Sequence, residues 1–143
     1  MKKNFYDLVI FGSGLSAKAM SLVARNTGQS FLIITDKNFG NNINDDTRSL
    51  ALSVASKKML QVLGAEIKTE AVKKMIVIEG GLGEEKIKSR LTFDRDLVDE
   101  DIAFIAEHSV IEKSLDKALK LKDSEFTRDE VIDIQKVNNH TKI

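Results

Sequence analysis

Apolar and polar positions along the chain fall into alternating strand and helix patterns. Tyr6-Asp7-Leu8-Val9-Ile10-Phe11 is a short, nearly continuous apolar run closed by the turn Gly12-Ser13-Gly14. Such a run predicts a strand buried on both faces, as in a parallel sheet. From Leu15 to Asn26, Ala17, Met20 and Ala24 recur at helical spacing with Val23 beside them, and Gly28 is the predicted stop. Ser30 to Thr35 reads as a second buried strand ending at Asp36. Strand, helix and strand in this order predict a βαβ unit with parallel strands.

The polar, Asn- and Asp-rich stretch Lys37 to Arg48 predicts a long loop, and long loops are often functional. Ser49 to Leu63 reads as a helix with Leu52, Ala55, Met59 and Leu63 on one face and Gly64 at its end. Met75–Glu79 and Lys88–Phe93 flank Gly80-Gly81-Leu82-Gly83, which predicts a hairpin. Asp94 to Asp101 is dense in charge and reads as a solvated loop, followed by a short strand from Ala103 to Ala106. Ile111, Leu115 and Leu119 share a register that predicts an amphipathic helix over Ser109–Leu121, with Ser109 near its N-cap. Glu130 to Gln135 alternates apolar and charged residues, as a half-buried strand does. The turn Val137-Asn138-Asn139-His140 then leads into a return strand at Thr141-Lys142-Ile143.

Composition narrows the chemistry. The 143 residues are 42% hydrophobic, enough for a core, and carry 22 basic against 22 acidic side chains. That balance disfavours a nucleic-acid binder or a polybasic membrane anchor. The absence of cysteine removes disulfide frameworks, thiol redox motifs and cysteine-based zinc sites. His108 and His140 are too far apart to make a metal-ligand pattern, so no metal site is expected. No apolar run approaches the ~20 residues of a membrane span, and the start lacks the layout of a signal peptide.

The main chemical signal is Gly12-x-Gly14-x-x-Ala17 between strand and helix. The first glycine permits the tight turn, the second lets the backbone approach a pyrophosphate, and the third position needs a small residue for helix–strand packing. The helix N-terminus presents N–H groups and the positive end of its dipole to phosphate. Asp36 follows Gly14 by 22 residues, near the ~20 expected of the acid that binds a ribose hydroxyl. An acid at that place favours FAD or NAD over NADP.

A second signal is Asp46-Thr47-Arg48-Ser49-Leu50-Ala51-Leu52-Ser53, running on to Ser56. Arg48, at the end of a polar loop, has the chemistry to pair with phosphate; an equally good reading is a solvated arginine followed by a capping serine. Ser53 and Ser56 with His108 do not make a nucleophilic triad. The acidic run from Asp94 to Asp101 lacks calcium-loop spacing.

Taken together, DLVIFGSGLSA, IITD and DDTRSLALSVASKKMLQVLG resemble the UbiH-like FAD-dependent aromatic hydroxylases of ubiquinone biosynthesis, within the para-hydroxybenzoate hydroxylase superfamily. The family's D-x-R-x-x-A-L-S-x-x-S-x-x-x-L-x-x-L-G stretch is matched from Asp46 to Gly64, and Phe104 to Ile111 is similar to its V-E-N-x-x-L segment.

The resemblance implies an α/β fold: a Rossmann-like FAD-binding βαβ domain with a parallel sheet and a small β-hairpin insertion, spanning residues 1–143 and truncated before the substrate domain. It implies that Gly12, Ser13, Gly14, Leu15 and Ala17 line the FAD pyrophosphate, that Asp36 binds the adenosine ribose, and that Arg48 contacts the cofactor near its phosphates. Glu107 falls where relatives place a polar residue near FAD, and His108 replaces their usual asparagine. Family members take electrons from NAD(P)H or another donor and use O₂ to hydroxylate a phenolic ring, here expected to be a prenylated one. The protein is expected in the cytoplasm, with a peripheral position at the inner membrane as the prenylated substrate would favour. The family's later FAD motifs fall beyond Ile143, so no catalytic residue is assigned and the chain alone is expected not to hydroxylate. The alternatives are a stand-alone dinucleotide-binding module or subunit working with a partner chain that carries the missing motifs, and a gene remnant. A simple NAD-dependent dehydrogenase is a weaker option, against which the Asp46–Gly64 stretch argues.

Overall fold

The computed structural model describes residues 5–36, 48–79, 89–122 and 125–143. The chain divides into two compact units, residues 1–45 with 115–143, and residues 46–114.

The first unit contains β1 (Leu8–Phe11), α1 (Leu15–Asn26), β2 (Phe31–Thr35), β8 (Phe126–Arg128), β9 (Gln135–Val137) and β10 (His140–Lys142). β1, β2 and β8 form a parallel sheet in that order, with Phe11 beside Ile34 and Thr35 beside Arg128. The parallel sheet and the βαβ unit are therefore as expected. β1 is shorter than its apolar run and only half-buried, and Phe11 is exposed. β2 buries alternate residues, Phe31, Ile33 and Thr35.

At the amino-terminal edge of the sheet, Asp7 and Ser30 hold each other. The Asp7 carboxylate accepts from the Ser30 N–H at 2.8 Å and from its hydroxyl at 2.7 Å, while the Asp7 N–H donates to the Ser30 carbonyl at 3.0 Å. The Ser30 hydroxyl, then its backbone N–H, hold the Asp7 carboxyl below the ordinary aspartate pKa.

α1 has the expected bounds, with Thr27 as its C-cap, and the chain turns away at Gly28, where the Gln29 N–H donates to the Ala24 carbonyl at 2.9 Å. Its buried face differs from the apolar pattern: Lys18, Ser21, Leu22 and Ala24 are buried, and Met20 is 44% exposed. Two polar side chains are tolerated because each is satisfied. The Lys18 ammonium lies 2.7 Å from the Asp116 carboxylate, and the Ser21 hydroxyl donates to the Ala17 carbonyl at 2.9 Å. Arg25 pairs with Glu125 at 2.7 Å and lies over the Phe31 ring, tying the end of α1 to the segment that enters β8.

The second unit contains β3 (Ser49–Leu52), α2 (Val54–Val62), β4 (Glu70–Val72), β5 (Lys74–Glu79), β6 (Ser89–Asp94), α3 (Arg95–Val98) and β7 (Ala103–Glu107). α4 (His108–Leu119) follows directly, with residues 108–114 in this unit and 115–119 in the first. β7 is the centre of an antiparallel sheet ordered β3-β7-β4, and β5 and β6 form the expected hairpin. The turn predicted at Gly80–Gly83 and all but the last residue of the loop predicted over Lys37–Arg48 lie outside the described residues.

Four expectations are corrected. Ser49–Leu63 is not one helix. Ser49–Leu52 pairs with β7, and the Ser53 hydroxyl caps α2 by accepting from the Ser56 N–H at 3.0 Å. Asp94–Asp101 is not a plain loop: Asp94 caps α3, Asp99 ends it at φ 53°, and the charges pair as Lys74–Asp94 at 2.8 Å and Arg95–Asp101 at 2.9 Å. α4 starts at His108, so Ser109 lies inside its first turn. The strand expected over Glu130–Gln135 forms only at its last residue. Among the described residues Glu130–Ile134 gains no neighbouring strand for its alternation to face, Ile132 is exposed, and regular structure resumes at Gln135, the first residue of β9. Two short strands, β4 and β8, carry too few residues for periodicity to show them.

Leu22, Phe31, Ile33, Leu115 and Leu119 are buried in the first unit and Leu60, Ala65, Ala106 and Ile111 in the second. Leu119→Ala is expected to cost about 2–5 kcal/mol in urea denaturation, and Met20→Ala to stay within about 0.5 kcal/mol, although both residues sit on predicted apolar faces. The Asp7 carboxyl contributes stability fully above its unfolded pKa of ~3.9 and loses it as pH falls through its lower folded value. Between pH 7 and pH 3 the urea midpoint should therefore fall further in the wild type than in Asp7→Asn.

Candidate dinucleotide site

β1 and β2 run side by side in the same direction, so both carboxyl ends open on one edge of the sheet. In open α/β sheets that edge is where ligands bind. The Gly12 N–H donates to the Ile34 carbonyl at 2.8 Å, which continues the pairing into the turn. Gly12 has φ +99°, a conformation that side chains rarely adopt.

Gly14 is different. It is the N-cap of α1 in extended conformation, φ −70° and ψ −179°, and a methyl group there would meet nothing within 4 Å. Folding therefore does not require glycine at this position. Among the described residues no side chain caps α1, and its first turn holds no acid. The start of α1 is left suited to an anion. Leu15 and Ala17 are half-buried in that first turn.

Ser13 is buried, and its hydroxyl lies 3.3 Å from that of Thr35, which is buried too. The Ser13 side chain thus braces the turn against the end of β2. Asp36 follows Thr35 directly and is exposed. The structure brings together Gly12, Ser13, Gly14, Leu15, Ala17 and Asp36, all in the first unit. Thr35 is the participant that sequence reasoning missed; the signal was a hydroxyl closing an otherwise apolar strand just before the acid.

Arg48 and Glu107 belong to the second unit and form a second group. Glu107 ends β7 opposite Ser49, and the Arg48 carbonyl accepts from the His108 N–H at 2.8 Å. Both Arg48 and Glu107 are exposed. His108 Nδ1 lies 4.0 Å from the Glu112 carboxylate one turn along α4. Ser53 and Ser56 hydrogen-bond each other at 2.9 Å at the start of α2, which accounts for both hydroxyls without a catalytic role. Among the described residues no cluster suits a metal ion, and no helix is long and apolar enough to cross a membrane.

A search of solved structures finds the same fold within larger proteins. The 2,6-dihydroxypyridine-3-hydroxylase of Arthrobacter nicotinovorans superposes with a TM-score of 0.62 at 12% identity, over 94% of this chain and 31% of the enzyme. This chain has the fold of part of that hydroxylase. A geranylgeranyl bacteriochlorophyll reductase-like protein of Thermoplasma acidophilum superposes with a TM-score of 0.57 at 15% identity, over 95% of this chain and 33% of the other. The chain thus spans about a third of the length of each. No protein-family model and no curated protein sequence matches it.

The two glycines should separate. Gly12→Ala is expected to destabilise the fold by about 1–2 kcal/mol through its backbone conformation. Gly14→Ala should stay within about 1 kcal/mol of wild type, a small loss in capping being offset by a less flexible unfolded chain. Urea denaturation of the two variants distinguishes these outcomes.

Proposed function

We propose that this chain is the FAD-binding portion of a UbiH-like flavoprotein monooxygenase that hydroxylates a prenylated phenol in ubiquinone biosynthesis. The observation that carries the cofactor assignment is the pairing of an uncapped helix start at Gly14 with Asp36 on the neighbouring strand end, both at the carboxyl edge of a parallel sheet. That donor set fits a dinucleotide: backbone N–H groups and helix dipole for the pyrophosphate, a carboxylate for a ribose hydroxyl.

Gly12, Ser13, Gly14, Leu15 and Ala17 would form the pyrophosphate cradle, with Gly14 allowing close approach. Asp36 would hold the adenosine ribose. Arg48 would contact the cofactor near its phosphates, and Glu107 would add a polar group near it. Bound FAD supplies the redox and oxygen chemistry, while the protein's part is orientation and shielding. The finer assignment, to prenylated phenols and to electrons from NAD(P)H, rests on the sequence match from Asp46 to Gly64. A prenylated substrate would bring the protein to the surface of the inner membrane.

A second reading is a stand-alone dinucleotide-binding subunit that works with a separately encoded chain. It is favoured by the placement of the whole pyrophosphate cradle and the ribose acid within one compact unit. Co-purification of a chain bearing the remaining flavin motifs would support it.

FAD titration of the purified chain, read by flavin fluorescence and thermal shift with NAD as comparison, tests the cofactor assignment. Saturating FAD should raise the melting temperature by several degrees, since occupancy at a hundredfold excess over Kd stabilises by about 2.7 kcal/mol. Gly14→Ala should weaken FAD binding about tenfold or more while melting normally without ligand. A folded chain that ignores FAD, or a Gly14→Ala variant that binds it unchanged, would sink the reading.

A further inference from the structure

The hairpin β5–β6 forms a sheet of only two strands among the described residues, which is marginal for a free-standing element. Its register places Met75 opposite Phe93 and Val77 opposite Leu91 on one face, and these four side chains are between 39% and 55% exposed. The same register continues past Asp94, where the Arg95 N–H donates to the Lys73 carbonyl at 2.8 Å. Hydrogen-bonded and non-hydrogen-bonded pairs alternate along an antiparallel ladder. Phe93 and Leu91 therefore direct their backbone groups toward β5, and Arg90, Thr92 and Asp94 direct theirs to the open edge.

That edge is complementary to itself. Moving out from Thr92, the chain meets Leu91 on one side and Phe93 on the other, then Arg90 and Asp94. Two antiparallel copies of β6 related by a two-fold axis at Thr92 would set Arg90 of each against Asp94 of the other, and Leu91 of each against Phe93 of the other. Thr92 would exchange backbone hydrogen bonds with its own copy. Centring the pair on Arg90 or Asp94 would oppose like charges, and centring it on Leu91 or Phe93 would leave Arg90 and Asp94 without an opposite charge inside the strand Ser89–Asp94. Asp94 has room for a further donor: its carboxylate accepts from Lys74 and the Asp96 N–H, fewer than the roughly four positions it offers. Those two partners, the Lys74 ammonium first, already hold its carboxyl below the ordinary aspartate pKa, so it is charged at neutral pH.

We propose that the open edge of β6 is a homodimerisation surface, joining the hairpins of two copies into a four-stranded antiparallel sheet centred on Thr92. The occupant is a second copy of this chain, identified by the match of Arg90 to Asp94 across the two-fold axis. The proposal does not rest on cofactor binding. A single strand pair buries less than the ~1,200 Å² of a standard stable interface, so the dimer should be weak, with a Kd in roughly the micromolar range or above. High salt should weaken it further.

The chain contains no cysteine, which makes crosslinking clean. Sedimentation velocity from roughly 1 to 500 µM should show a rising dimer fraction. Thr92→Pro removes an N–H that points away from β5, so it should leave the far-ultraviolet circular dichroism unchanged and weaken association at least about tenfold. Arg90→Asp, an exposed change that opposes two acids across the axis, should do the same. Thr92→Cys should form a disulfide-linked dimer under mild oxidation at least about ten times faster than Val62→Cys, a control at an 83% exposed position on α2. A chain that stays monomeric over the whole range, as it would if another segment or partner covered this edge, overturns the proposal. So does a dimer that survives Arg90→Asp, or equal crosslinking at the two cysteines, which would mean a face-to-face or adventitious contact. Should Thr92→Pro unfold the hairpin, Arg90→Asp and the crosslinking rates still decide.

Discussion

Parallel pairing of β1 with β2 is the constraint on which the candidate site depends. It carries the glycine turn after Phe11 and the end of β2 at Thr35 to one edge of the sheet. The hydrogen bond from the Gly12 N–H to the Ile34 carbonyl and the contact between the Ser13 and Thr35 hydroxyls extend that pairing past the last strand residues. The start of α1 and the Asp36 carboxylate are thereby held on a common frame, although 22 residues separate Gly14 from Asp36. Buried hydroxyls are tolerated there because each has the other as partner.

The second unit uses a different device to a similar end. β7 is the central strand, and its final residue, Glu107, is opposite the first residue of β3. The His108 N–H then reaches the Arg48 carbonyl, so a basic and an acidic candidate from distant parts of the sequence meet at one end of one sheet. The cation of Lys57 lies over the Phe104 ring, joining α2 to the same strand. Functional candidates thus stand at strand ends, where rigid elements hold them while leaving them accessible.

Charge and apolar surface are arranged on the hairpin in a way that bears on association. Edge strands are usually protected by charge, by proline or by cover. β6 keeps Arg90 and Asp94 at its ends, and these guard against an arbitrary partner strand while suiting a copy of the strand itself. A pattern that limits aggregation can in this way also specify a register.

The sequence by itself determined the local elements whose signals are contiguous: the glycine turn, the bounds of α1, the buried strand Phe31–Thr35, the hairpin strands and the Ile111-Leu115-Leu119 stripe of α4. These follow from chain stiffness, turn chemistry and periodicity, which act over a few residues. Only the tertiary structure decided that Ser49–Leu52 is a strand, because an apolar stretch of that length takes its form from whether an edge such as β7 is there to pair with it. It likewise decided that Lys18 and Ser21 are buried while Met20 is not, since Asp116 and the Ala17 carbonyl satisfy the two polar groups. Glu130–Ile134 is the converse case: among the described residues it is a strand pattern without a neighbouring strand, and it stays irregular. Thr35 joins the site for the same reason, its hydroxyl having meaning only once β1 lies beside β2. Local propensity is a property of the chain, whereas pairing and burial are properties of what the fold brings alongside it.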